Sequence, residues 1–169
     1  MKTTDDQTEL FTHVDNHDQV IGAITRAEAH AGSFKIHRGV WILVFNDRDE
    51  LFLQKRSLTK DSNPGMWSMS VGGHVTYGQT YKEAVRREFM EELGVPVFQI
   101  EYIRKYHFLG KKETEIGCVY KTIHNGLFVL NPEETDHGEF HTVKTWEAKI
   151  RKGEVKIANW ALAILQDIL

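Results

Sequence analysis

Cysteine is nearly absent. Cys118 stands alone in the chain, which excludes an internal disulfide and a cysteine-based zinc cluster and makes a reducing cytoplasm the natural compartment. An excess of positive charge is missing too, because 21 Lys and Arg face 24 Asp and Glu for a net charge of -3. That balance offers no basic face to a nucleic-acid polymer, whereas acidic residues with scattered Lys and Arg suit a metal-bridged small anion. Long apolar runs are lacking. The longest, Val40 to Phe45, is far too short to span a bilayer, and the polar stretch Met1 to Glu9 has no apolar segment of the kind a secretory signal needs. No repeat, low-complexity tract or linker divides the 169 residues, a length that suits one domain with a real core. The expected partner is a metabolite, with no role for DNA or a membrane.

What the chain does have is concentrated between Gly73 and Val95. At 100° per residue, Tyr81 to Leu93 forms a helix with Tyr81, Ala84, Val85, Phe89 and Leu93 on one apolar stripe. Glu88 and Glu92 fall inside that stripe. A carboxylate on a core-facing surface is costly unless it is paired or holds a metal, so their phase argues against a merely solvated charged helix. Glu91 sits at the edge of the same face, where Arg87 can pin it across one turn. Thr80 with Glu83 reads as a capping box, and Gly94 as the residue that stops the helix. Gly72-Gly73 ahead of it permits close backbone approach to a ligand or metal.

The rest of the chain reads as strands with short connections. Thr8 to Val14 and Val20 to Gly22 flank a polar turn, and a short helix follows at Thr25 to Ala29 with Thr25 as N-cap. Gly39 to Phe45 is a buried strand with Leu51 to Lys55 as its hairpin partner. A charged loop then runs to Pro64-Gly65, and Met66 to Val71 alternates as a strand. Val97 to Leu109 and Glu115 to Ile123 are strands joined by the turn Gly110 to Thr114. Asn125-Gly126 marks a tight turn before Leu127 to Leu130. Thr142 to Trp146 is a last strand or the start of a helix, and Ala158 to Leu169 is an amphipathic closing helix. A mixed sheet held between helices is the economical arrangement, an α/β fold.

The segment from Gly73 resembles the Nudix box, Gly-x5-Glu-x7-Arg-Glu-apolar-x-Glu-Glu-x-Gly-apolar. Gly73, Arg87, Glu88, Phe89, Glu91, Glu92, Gly94 and Val95 match in place, and Gln79 is the one departure. The resemblance implies a Nudix-type α/β/α sandwich and a catalytic group of Arg87, Glu88, Glu91 and Glu92. The three glutamates and the Gly73 carbonyl would then be ligands of Mg²⁺ or Mn²⁺, hard cations that prefer oxygen and are completed by substrate phosphates. Gln79 cannot accept a proton, so the general base lies elsewhere, with Glu133, Glu134 and Glu139 as candidates.

From about Glu9 through Trp160 the chain is also similar to the branch of that superfamily containing type 1 isopentenyl-diphosphate isomerase. His30 and His37 match its histidine pair, His74 the histidine of its Cys-Gly-His element, Glu113 and Glu115 its Glu-x-Glu, and Trp160 its late tryptophan. The resemblance implies a second metal site there, for Mn²⁺, Mg²⁺ or Zn²⁺; the alternative is ordinary loop and surface residues that keep their spacing by descent. Arg26, Arg56 and Lys60 fall at its diphosphate-binding positions. The departure is Gly72, which occupies the place of the catalytic cysteine and has no proton to exchange. Cys118 lies on another expected strand. Isomerases of that type also lack the full Arg-Glu-x-x-Glu-Glu, so the pattern favours a pyrophosphohydrolase acting on a nucleoside di- or triphosphate or a related small diphosphate. An isomerase with an unorthodox acid, and a diphosphate-binding module with little turnover, remain alternatives. The aromatic residues Trp41, Trp67, Tyr77 and Phe108 specify no base, sugar or isoprenoid.

Overall fold

The computed structural model describes residues 3–32, 34–110 and 112–168. Met1, Lys2, Ser33 of the expected loop, Lys111 of the expected turn and Leu169 of the expected closing helix lie outside the described residues. The elements are β1 (Leu10–Val14), β2 (Val20–Thr25), α1 (Arg26–Ala29), β3 (Ile36–Phe45), β4 (Leu51–Arg56), β5 (Trp67–Ser68), β6 (Val71–His74), α2 (Tyr81–Leu93), β7 (Glu101–Leu109), β8 (Thr114–Ile123), β9 (Thr135–His141), α3 (Val143–Arg151) and α4 (Asn159–Ile168). Among the described residues no helix is long and apolar enough to cross a membrane.

Strand β3 is the hub of a mixed nine-stranded sheet: it pairs antiparallel with β1, β4 and β6 and parallel with β8. Its apolar run is continuous because both faces are covered. Val40, Ile42 and Val44 pack with Ala84, Val85, Phe89 and Leu93 of α2 on one side. Trp41, Leu43 and Phe45 pack with Trp146 of α3 and Ala161, Ile164 and Leu165 of α4 on the other. This is the expected α/β/α sandwich.

Helix α2 has the expected bounds. Both arms of the Thr80/Glu83 capping box are formed, and Gly94 takes the left-handed conformation at φ 66 that ends the helix. Thr25 and Glu28 form a second capping box ahead of α1.

Elsewhere the structure departs from the sequence expectations. Met66 to Val71 is not one strand: β5 pairs with β4, and β6 pairs with β3. Ser70 sits at the switch: its hydroxyl donates to the Phe52 carbonyl and accepts from the Val44 N–H at 2.9 Å, tying β6 to the point where β3 and β4 pair. Asn125-Gly126 makes no hairpin, and Leu127 to Leu130 is not a strand. Asn125 is engaged instead by the β3–β4 turn, accepting from the Asp47 N–H at 3.0 Å. Thr142 caps α3, deciding in favour of a helix there. Strand β9 is unexpected, and it pairs antiparallel with β4.

Candidate active site

A cleft of about 310 Å³ opens where the Gly72-Gly73-His74 end of β6 meets α2. The two inward-phased glutamates form its floor. Glu88 is 9% exposed and Glu92 is 6% exposed. Glu92 is held by the Gly72 N–H at 3.2 Å and by the amide of Gln54, which also donates to the Ser70 carbonyl at 2.8 Å. Glu88 lies so close to the β6 backbone that a Cβ on Gly73 would come 2.0 Å from its carboxyl carbon. Only glycine leaves room for that carboxylate.

Arg87 organises the rim. Its guanidinium donates to Glu88 at 2.8 Å, to Glu91 at 2.8 Å, to the His74 carbonyl at 2.7 Å and to Gln79 Oε1 at 3.3 Å. The pinning of Glu91 across one turn is therefore present, and Gln79 serves as a neutral acceptor for the same arginine. Burial pushes the Glu88 carboxyl up to about 7; Arg87 opposes this, and the charges of Glu91, Glu9 and Glu134 add to it. Burial, followed by the Glu88 and Glu134 charges, raises Glu92 well above the ordinary carboxylate range. Of these two buried carboxylates only Glu88 contacts Arg87, while Glu92 is met by neutral donors, an electrostatic deficit that a divalent cation would relieve. The oxygen-only donor set fits Mg²⁺ or Mn²⁺.

A second group lies beside the first. Sheet register assembles it: parallel pairing sets Glu115 of β8 against His37 of β3, and antiparallel pairing sets His74 of β6 against Gly39 of β3. Ligand atoms of His30, His37, His74 and Glu113 all lie within 4.8 Å of one another. Glu115 Oε1 is 3.5 Å from both His37 Nε2 and His74 Nε2, and His30 Nε2 is 3.1 Å from Glu113. All five residues from the sequence comparison thus converge. His37 is fully buried, and neither ring nitrogen has a hydrogen-bond partner. A buried imidazole that makes no hydrogen bond, with the Glu115 carboxylate standing off at 3.5 Å, is costly, so this ring fits a metal ligand. Burial, reinforced by the neighbouring histidines, Arg26 and Lys60, holds His74 well below the usual histidine value and hence in the neutral, ligating form. Phe11 of β1 stacks on His74 with ring centroids 4.0 Å apart.

Arg26, Arg56 and Lys60 all line the cleft. Arg26 donates to Asp61 at 2.9 and 3.0 Å and contacts Asp5 at 3.2 Å. Lys60 binds Glu134 at 2.7 Å and also Asp5. Arg56 donates to the Ser62 carbonyl at 2.9 Å and to its hydroxyl at 3.2 Å. Of the three candidate bases, Glu134 lines the cleft. Glu133 is exposed, and Glu139 pairs with His141 and Lys149. Gly72 sits between two indoles, a Cβ there being 3.3 Å from both Trp160 and Trp41. Cys118 packs in the core with α2, away from this cleft.

Gln54, Phe11, Asp5 and Glu9 were not apparent from the sequence. Gln54 had one signal, a polar side chain following the apolar Leu51-Phe52-Leu53 run. The others arrive from the N-terminal segment through long-range packing, which local pattern does not report.

The comparisons agree with this architecture. A Nudix hydrolase of Deinococcus radiodurans is 32% identical over 148 residues, spanning 86% of this chain and 86% of the relative. An isopentenyl-diphosphate Delta-isomerase of Aromatoleum aromaticum is 30% identical over 161 residues, spanning 92% of this chain and 84% of the relative. A crystal structure of a Deinococcus radiodurans chain superposes with a TM-score of 0.81 at 27% identity, covering 95% of this chain and 99% of that one. The family model for the NUDIX domain matches residues 35–161, from just before the sheet's hub strand into the first turn of α4. With that match running through both the glycine loop and the carboxylate helix, the chain belongs to the NUDIX domain family.

Proposed function

We propose that this protein is a divalent-metal-dependent pyrophosphohydrolase that cleaves the diphosphate linkage of a small molecule, a nucleoside diphosphate derivative being the leading class. One observation carries the reading: Glu88 and Glu92 are buried side by side at the floor of a cleft whose wall holds Arg26, Arg56 and Lys60. Glu88, Glu91, Glu92 and the Gly73 carbonyl would hold Mg²⁺ or Mn²⁺. When bound, such an ion neutralises diphosphate charge and lowers the pKa of a water that attacks phosphorus.

The chain's own groups account for the rest. Arg87 fixes the orientation of Glu88 and Glu91, while the Gly72 N–H and Gln54 fix Glu92. Arg26, Arg56 and Lys60 bind the phosphate oxygens and stabilise charge that builds on the leaving group. Glu134 accepts the proton of the attacking water, taking the role Gln79 cannot fill. The water oxygen bonds to phosphorus as the bridging P–O bond breaks, and the leaving phosphate departs with that electron pair. Turnover of a panel of nucleoside and non-nucleoside diphosphates with Mg²⁺ and Mn²⁺ tests this reading. Metal-dependent release of a phosphorylated product is expected, and its absence across the panel would refute hydrolysis.

A second reading has one specific observation in its favour: the His30, His37, His74, Glu113 and Glu115 group, suited to a second Mn²⁺, Mg²⁺ or Zn²⁺, lies next to Gly72 and Trp160. It is isomerase-like chemistry on a prenyl diphosphate. Incorporation of solvent deuterium into isopentenyl diphosphate without phosphate release would single it out.

A further inference from the structure

Residues 3–9, Thr-Thr-Asp-Asp-Gln-Thr-Glu, contain no apolar side chain. Burial therefore does not anchor this segment, yet Thr4, Asp5, Asp6 and Glu9 line the cleft. Polar contacts hold it in place. The Thr4 N–H donates to the Thr59 carbonyl at 3.3 Å, the Asp61 N–H donates to Asp5 Oδ2 at 2.8 Å, and Gln7 donates to Asp61 at 3.2 Å. At the centre is Asp5, whose side chain is 4% exposed and whose Oδ1 lies between Arg26 and Lys60.

We propose that residues 3–9 form a strap in which the Asp5 carboxylate stands in for one phosphate, and that a diphosphate displaces it to reach Arg26 and Lys60. This rests on reading the cleft as a diphosphate site. The charges argue for displacement. Arg26 and Lys60 already face Asp5, Asp61 and Glu134, so an incoming polyanion meets a local surplus of negative charge while the strap is down. Like charges brought together in a partly buried site repel strongly. Of the three carboxylates, Asp5 is the exchangeable one. Arg26 keeps Asp61 through two N–H bonds when Asp5 leaves, and Lys60 keeps Glu134, so neither cation is left bare. A segment held by polar contacts alone also belongs to the low-stability end of local opening.

The test is binding of imidodiphosphate, a non-hydrolysable diphosphate, measured by calorimetry at fixed Mg²⁺ for the wild-type protein and Asp5→Asn. The substitution keeps the shape and removes the competing charge, so binding at least about fivefold tighter is expected. If Asp5 merely positions the two cations, affinity stays level or falls, and either result overturns the strap, as does absence of binding to both proteins. The unaltered protein gives an independent readout. Saturating imidodiphosphate is expected to speed hydrogen exchange at the N–H groups of Thr4 and Asp61, and unchanged or slower exchange would overturn the proposal. Neither readout needs turnover. Tighter binding by Asp5→Asn in a protein that hydrolyses nothing would refute the hydrolase reading alone, whereas hydrolysis without an Asp5 effect would refute the strap alone.

Discussion

The Glu88 carboxyl fills the space that a side chain on residue 73 would need, since a Cβ on Gly73 would lie 2.0 Å from its Cδ. Gly73→Ala is therefore a local test of the proposed metal site. The clashing group is the far end of a flexible side chain, so Glu88 can rotate away and the fold should survive. The carboxylate then leaves the cleft floor. Mn²⁺ affinity, followed by electron paramagnetic resonance, is expected to fall at least about tenfold while the melting temperature changes little. Wild-type affinity in this variant would remove Glu88 from the ligand set.

How much of this was legible in the sequence depends on how local each cause is. Helix α2 carries its own signals, a capping box, a periodic apolar stripe and a left-handed glycine, and its bounds were readable to the residue. Strand β9 carries none: Asp136, His137 and Glu139 break any alternation, and only pairing with β4 makes Thr135–His141 a strand. The same holds at the site. Glu88 and Glu92 were legible from their phase on one helix. The His30, His37, His74, Glu113 and Glu115 group came from family resemblance, because β3–β8 and β3–β6 register, not spacing along the chain, brings those residues together. Asp5 was invisible because its meaning depends on Arg26 and Lys60, from two other segments.

If the proposed site is right, Glu91→Gln and Glu92→Gln should each lower kcat at least about a hundredfold, because each would remove a charge that stabilises the metal and the transition state. Volume is kept in both, so the fold should persist. Near wild-type turnover in both variants would count against the whole site assignment.

The Glu88 shift also predicts a pH dependence of stability. Its pKa rises from 4.5 unfolded to about 7 folded, through burial. The folded state thus binds the extra proton, and this contribution is fully present below pH 4.5 and lost as pH rises through about 7. Over that window the metal-free protein should lose on the order of 3 kcal/mol relative to Glu88→Gln, which lacks the titrating group. Urea unfolding of both proteins between pH 5 and about pH 8 measures the difference. Parallel pH profiles would show that Glu88 does not titrate as its burial requires.

Gly72→Cys should not by itself create strong isomerase activity. A Cβ there meets Trp160 and Trp41 at 3.3 Å, so the new side chain enters a tight slot between two indoles. A thiol also needs a tuned pKa and a well-placed partner acid to move protons. Deuterium incorporation into isopentenyl diphosphate is the measurement, and robust double-bond migration in this variant would make the isomerase reading the better one.

The last prediction uses the buried ring of His37, which makes no hydrogen bond, to separate a second metal site from a set of residues that merely share spacing. His37 is 0% exposed, and neither ring nitrogen is hydrogen-bonded. If the ring exists to bind metal, it destabilises the metal-free protein, because an unsatisfied buried polar group costs about 1–3 kcal/mol. His37→Leu replaces it with an apolar side chain in an apolar contact with Phe11, whose ring centroid lies 5.3 Å away. The metal-free variant should therefore be at least as stable as the wild type, the reverse of what most core substitutions do. Adding Mn²⁺ or Zn²⁺ without substrate should then raise the melting temperature of the wild type, since ligand binding to the folded state stabilises it, and should raise that of the variant far less. Equal metal-induced shifts in the two proteins, with Glu92→Gln as a control for the neighbouring glutamate site, would mean that the histidines hold no ion.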